Sequence, residues 1–86
     1  MIKWRTLLEQ SLTDCGETMS DIVSYAPVDG KWLDYYFDDD SKIIEGESFT
    51  VWTKKRVYFP VQYNGSEWVE SVSRIPDGKP TNHIGG

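Results

Sequence analysis

The chain has 86 residues, of which 38% are hydrophobic and 27% charged, with a formal net charge of −5; this is the composition of one ordinary globular domain, not of a disordered segment. The acidic balance argues against direct nucleic-acid binding, since phosphate neutralisation needs a basic surface, and it suits a basic protein partner. Cys15 is the sole cysteine, which excludes an intramolecular disulfide or a cysteine metal cluster and fits a reducing cytosol. The opening "MIKWRTLLEQSLTD" carries Lys3 and Arg5 and lacks the apolar stretch of a signal peptide, and no apolar run approaches the ~18 residues of a membrane span. A cytoplasmic protein without membrane contact is expected.

Along the chain, residues 2–25 are expected to be helical. Trp4, Leu7, Leu8 and Leu12 recur at helical spacing over 2–13, with Gly16 placed to end the helix. A second, shorter helix is expected in "ETMSDIVSYAP", with Thr18 as N-cap and Met19, Ile22 and Val23 on one face before Pro27. Residues 26–47 form a turn and an acidic loop. Pro27 and the Asp29-Gly30 pair break regular structure, and residues 32–37 suit either a short helical turn, which is preferred, or an edge strand.

Three strands are expected next, at about 48–53, 56–63 and 67–74, forming an antiparallel β-meander, with an irregular tail over 75–86. Asn64-Gly65 is the clearest turn signal in the chain, because a tight hairpin needs residues that tolerate φ > 0. Six of the twelve aromatics fall within residues 49–72: Phe49, Trp52, Tyr58, Phe59, Tyr63 and Trp68. In the middle strand Val57, Phe59, Val61 and Tyr63 alternate with Arg56, Tyr58, Pro60 and Gln62, and the first set is expected to face the core. A two-residue turn would pair Val61 with Trp68 and set Glu70 uncomfortably beside Phe59. A three-residue loop would bring Val69 onto the core face instead. Pro60 removes a ladder donor and belongs at an edge or a bulge. The fold expected is α+β: N-terminal helices packed on a three-stranded antiparallel meander, in a single domain.

The chemistry-bearing residues are few. His83 and Cys15 are each the sole residue of their type and show no spacing that would pair a nucleophile with a base. No phosphate-binding glycine loop, HExxH or CxxC occurs, so no enzyme, cofactor or metal is expected. The segment "DYYFDDDSKIIEGE" fails the calcium-loop pattern, since Lys42 and Ile43 occupy the fifth and sixth positions counted from Asp38. A solvated acidic loop is the preferred reading, ahead of a patch that engages a basic partner or imitates nucleic-acid phosphate, and of a loose divalent-ion site. The terminal Gly85-Gly86 resembles the tail of ubiquitin-like modifiers only in those two residues, and an ordinary flexible tail is the preferred reading. Tyr58, Arg56 and Gln62, on the face opposite Phe59, form the expected protein-binding surface, with Asp38, Asp39 and Asp40 steering a basic partner; the equal alternative is that a helix or the C-terminal tail covers this face and makes Tyr58 structural.

The segment "FTVWTKKRVYFPVQYNGSEWVESVSRIP" resembles a group of small proteins encoded by bacteriophages and prophages. The shared positions are Trp52, Thr53, Arg56, Val57, Tyr58, Phe59 and Pro60, then Tyr63, Gly65, Glu67, Trp68, Val69, Ser71, Val72 and Arg74. Phe37-Asp38 and the "HIGG" ending are similar as well. Where the group has a glycine-rich stretch after the Phe-Asp pair, this chain has Asp39-Asp40-Ser41. The resemblance supplies no catalytic residues. It implies an accessory phage protein that binds a host or phage protein, with a virion-assembly component as the alternative and a small hydrolase as a third.

Overall fold

A computed structural model describes residues 1–41 and 43–84; Lys42 and the Gly85-Gly86 pair lie outside the described residues. The elements in chain order are β1 (Ile2–Lys3), α1 (Trp4–Asp14), a 3-10 turn (Met19–Asp21), β2 (Ile22–Ala26), a second 3-10 turn (Lys31–Asp34), β3 (Tyr36–Phe37), β4 (Thr50–Thr53), β5 (Arg56–Tyr63) and β6 (Ser66–Ser73). The class is α+β, but with one helix and two antiparallel sheets: a two-stranded β1–β3 pair and a four-stranded sheet in the order β2-β4-β5-β6.

Helix α1 forms as its spacing dictates, with Trp4, Leu8 and Leu12 buried. It ends in a Schellman geometry. The Glu17 N–H bonds the Leu12 carbonyl at 2.8 Å, the Gly16 N–H bonds the Thr13 carbonyl at 3.0 Å, and Gly16 takes φ 75°, the left-handed conformation that glycine adopts without steric cost. The expected second helix does not form. Thr18 and Asp21 close a capping box around a single 3-10 turn, after which Ile22–Ala26 run as an edge strand against β4 with a bulge between Ile22 and Ser24. The physical reason lies in "IVSYA", a β-branched and aromatic run too short before Pro27 for its apolar spacing to favour a helix. The 32–37 segment contains both of its readings, a 3-10 turn followed by a two-residue strand.

The meander is present as β4–β5–β6. Asn64 and Gly65 take φ 51° and 90°, and the two-residue turn pairs Val61 with Trp68, Phe59 with Glu70 and Val57 with Val72. Lys54-Lys55 also turns in two residues, because the Thr53 hydroxyl accepts the N–H groups of Lys55 and Arg56 at 3.2 and 2.9 Å. A serine- or threonine-type turn replaces the missing glycine. Pro60 lies beyond the stretch of β5 that pairs with β4, which ends at Tyr58 opposite Val51. Its missing donor therefore interrupts no ladder.

The expected core face is inverted. The buried set is Trp4, Leu8, Leu12, Trp32, Leu33, Phe37, Phe49, Val51, Tyr58 and Val69, so α1 and the aromatic turn segment cover the face of Val51, Tyr58 and Val69. Phe59 and its neighbours lie on the other face. An aromatic stack forms the centre of the core: Trp32 stacks on Phe49 with ring centroids 4.6 Å apart, and Phe49 meets Trp4 edge-on at 4.9 Å. Both indoles are satisfied, Trp4 Nε1 donating to the Glu47 carbonyl at 3.0 Å and Trp32 Nε1 to the Pro27 carbonyl at 2.8 Å. Glu67 closes this end of the core, its carboxylate accepting the Glu45 and Gly46 N–H groups at 3.0 and 3.1 Å.

Candidate binding surface

The three sheet residues expected to bind a partner are used internally. Tyr58 is 0% exposed. Its hydroxyl donates to Glu17 Oε1 at 2.6 Å, and the Thr53 hydroxyl donates to the same oxygen at 3.1 Å. Burial foremost, and then the bond to Glu17, push the Tyr58 phenol far above its ordinary pKa. Arg56 lies flat along β6, Nε donating to Ser71 Oγ at 2.7 Å and Nη2 to the Ser71 carbonyl at 3.1 Å. The Gln62 side-chain oxygen accepts from Gly65 and Asn64 at 2.9 and 3.2 Å in the amide orientation that satisfies both bonds. Tyr58 is therefore not exposed as first expected, whereas Arg56 and Gln62 stay partly exposed with their polar groups bonded internally. The cause is the inverted core face: Glu17, set at the helix end by the Schellman turn, supplies the partner that lets Tyr58 be buried.

The acidic loop is strapped to the start of β6. The Asp39 carbonyl accepts the Glu67 N–H at 2.8 Å, Ser66 Oγ donates to Asp40 Oδ1 at 3.0 Å, and the Asp40 N–H turns back to Asp38 Oδ1 at 3.0 Å. Asp38 and Asp40 remain exposed. Among the described residues no group of three or more His, Cys, Asp or Glu side chains is placed to hold a metal ion.

Cys15 and His83 stand on different hollows. Cys15 lines a groove of about 400 Å³ between α1 and β6, with Asp14, Arg56 and Ser71. Its thiol lies 3.6 Å from Ser71 Oγ, a hydroxyl and not a base. His83 borders a second hollow, of about 540 Å³, between β6 and the tail. No hydrogen bond joins the two among the described residues.

The surface that alternation does leave open is the other side of the sheet. Strand register places Trp52 opposite Val57, Val57 opposite Val72, Phe59 opposite Glu70, Val61 opposite Trp68 and Tyr63 opposite Ser66, all on one face. Trp52, Val57, Phe59, Val61, Trp68, Glu70 and Val72 are half-buried, and Tyr63 is 57% exposed. Among the described residues the one helix packs on the opposite face, and at the β6 edge Trp68 and Glu70 also border the groove that α1 lines with Leu7 and Gln10. The molecule measures 36 × 29 × 19 Å, and the smallest dimension accommodates one helix layer on one sheet at about 10 Å spacing, without a third layer. Along β6 the tail flanks this face. Tyr63, Trp68 and Glu70 form one wall of the second hollow, and Thr81–Ile84 form the other.

The signal for this surface was present in the register. A two-residue turn sets Glu70 beside Phe59, and a carboxylate without a partner is excluded from a core.

No protein-family model, curated protein or solved structure matches this chain. Among the described residues no helix is long and apolar enough to cross a membrane.

Proposed function

We propose that the protein is a non-enzymatic phage or prophage accessory protein that acts by binding a host or phage protein, and that it binds through the helix-free face of the sheet. The observation that carries this is the row of Trp52, Phe59 and Trp68, with Tyr63 beyond them, on a face that the helix leaves open. Contiguous apolar patches rimmed by polar residues mark interaction sites on small proteins. Aromatic side chains dominate binding energy where they occur in such patches, because each gives a large, rigid contact at low entropic cost. The acidic composition suits a basic partner, and the exposed Asp38 and Asp40 beside β6 raise its encounter rate more than its affinity.

The test is affinity capture from a bacterial lysate with the parent, a Phe59→Ser/Trp68→Ser variant, and a variant with Asp38, Asp39 and Asp40 changed to Asn. The sheet-face variant should lose the protein that the parent retains, while the loop variant keeps it with a slower, less salt-sensitive association. Equal capture by parent and sheet-face variant, with both folded, places the functional surface elsewhere. Concentration-dependent self-association abolished by the same Phe59→Ser/Trp68→Ser change would instead favour a virion-assembly component.

A further inference from the structure

Among the described residues that pair within β4, β5 and β6, Glu70 is the one charged residue on the helix-free face. Its neighbours there are Phe59 across the ladder and Trp68 and Val72 two positions away on its own strand. The fully buried carboxylates are engaged. Glu17 accepts from two hydroxyls, and Glu67 accepts from two backbone N–H groups. The surface carboxylate of Asp34 is held by Arg5 and Lys3. Glu70 is half-buried and makes no side-chain hydrogen bond or ion pair among the described residues.

We propose that the segment docking on this face is basic and places a Lys or Arg side chain against Glu70, between the rings of Phe59 and Trp68. This rests on the binding surface proposed above and specifies the partner's chemistry. An uncharged apolar segment seated on Phe59 and Trp68 would complete the burial of Glu70 and leave a desolvated, unpaired carboxylate, which is strongly unfavourable. A segment carrying a cation converts that penalty into a charge-assisted hydrogen bond. The neighbouring aromatic residues Phe59 and Trp68 add cation–π attraction, which guanidinium groups exploit best. The hollow of about 540 Å³ that Tyr63, Trp68 and Glu70 share with the tail provides space for a long side chain. Glu70 thus acts as a selectivity element: it raises the cost of wrong partners more than it strengthens the right one. The net charge of −5 favours approach of the same class of partner.

The probes are a capped heptapeptide, Gly-Ser-Leu-Arg-Leu-Ser-Gly, and its counterpart with neutral citrulline in place of Arg, titrated into the isotope-labelled full chain and followed by NMR. The Arg peptide should shift the Trp68 indole and Glu70 amide resonances saturably. The citrulline peptide should bind about tenfold or more weakly, as should the Arg peptide to Glu70→Gln. Thermal melts of Glu70→Gln check the fold, which should be unimpaired because Glu70 has no internal partner to lose.

Equal binding of the two peptides overturns the inference, as does an Arg-peptide response confined to Asp38–Asp40 or saturable binding of a single-stranded oligothymidine at Trp68. Two failures remain distinguishable. If Phe59→Ser/Trp68→Ser abolishes capture from lysate while Glu70→Gln leaves it unchanged, the sheet face binds but the basic-segment inference fails. If neither change affects capture, the proposed binding surface itself fails.

Discussion

Tyr58→Phe tests the inverted core most directly, because it removes one atom and leaves the ring in place. That atom donates to Glu17 Oε1 at 2.6 Å inside a buried site, and among the described residues the only other side-chain donor to Glu17 is the Thr53 hydroxyl at 3.1 Å. A hydrogen bond to a charged group is worth about 1.5–3 kcal/mol net, and an acceptor left buried and undersatisfied keeps the loss in that range. For a domain of this size that corresponds to a fall of roughly 6–24 °C in melting temperature, against a total stability on the order of 5–15 kcal/mol. Thermal and urea unfolding of parent and variant give the number. The pH dependence supplies a second readout. The folded state holds the Tyr58 proton far above the ordinary tyrosine pKa, so its contribution is complete below about pH 10, where an unfolded tyrosine is still protonated. It is lost as the pH rises beyond that toward the folded value. The gap between parent and Tyr58→Phe should therefore be constant through neutrality and close in strong alkali. A loss below about 0.5 kcal/mol, or a gap that ignores alkaline pH, would mean that the hydroxyl is not paired in a dry site.

Three further outcomes follow from the same geometry. Trp4→Ala should cost about 3–5 kcal/mol as a core truncation, whereas Phe59→Ala, half-buried on the open face, should cost about 1–2 kcal/mol; chemical denaturation of the pair decides which face is the core. Gly46→Ala should destabilise by about 1–3 kcal/mol, because an added Cβ would lie 2.6 Å from Trp4 Cζ2 and 2.9 Å from Glu67 Oε1, and a melt no lower than the parent's would contradict that packing. Arg5 holds Asp34 through two bonds of 2.8 and 2.9 Å, and the hydrogen bond from Arg5 lowers the Asp34 pKa. The pair's contribution is thus present above the ordinary carboxylate pKa of about 4 and lost as the pH falls through the lower folded value, so parent and Asp34→Asn should converge in stability at strongly acid pH and separate at neutrality.

Much of this architecture was legible because it is local. The spacing of Trp4, Leu8 and Leu12 dictates α1, Asn64-Gly65 dictates the hairpin, and period-two alternation dictates two distinct sheet faces. Two features were not legible, for different reasons. "IVSYA" is too short for its apolar pattern to separate a helix from a strand, and what decides it is pairing with β4, a contact made across some thirty residues. The choice of face failed because Val57, Phe59 and Val61 are the more hydrophobic set, and hydrophobicity alone selects them. The face that is buried has polar groups around Val51, Tyr58 and Val69, and each finds a partner: Tyr58 and Thr53 at Glu17, Arg56 at Ser71, Glu67 at Gly46. Whether a polar residue is paired depends on the tertiary fold. In the sequence, only the clash of Glu70 with Phe59 hinted at which face would be refused.

The concentration of aromatics between residues 49 and 72 therefore divides in two. Phe49 and Tyr58 belong to the core, while Trp52, Phe59, Tyr63 and Trp68 lie on or at the end of the open face. The division is forced by what so short a chain can cover. An eleven-residue α1 extends only about 16 Å, whereas the eight-residue strands β5 and β6 extend about 26 Å. Trp32, Phe37 and Phe49 are needed to finish the covered side, and no second helix remains for the other. Stability alone would favour small polar side chains on an uncovered face, since large apolar groups left half in water gain little from folding and invite association. Three large rings on that face, and a carboxylate without a partner among the described residues, are what the proposed binding role would require. On the proposed reading Trp52, Phe59, Trp68 and Glu70 serve recognition, whereas Trp4, Glu17, Tyr58 and Glu67 hold the fold, two sets separated by the thickness of one sheet.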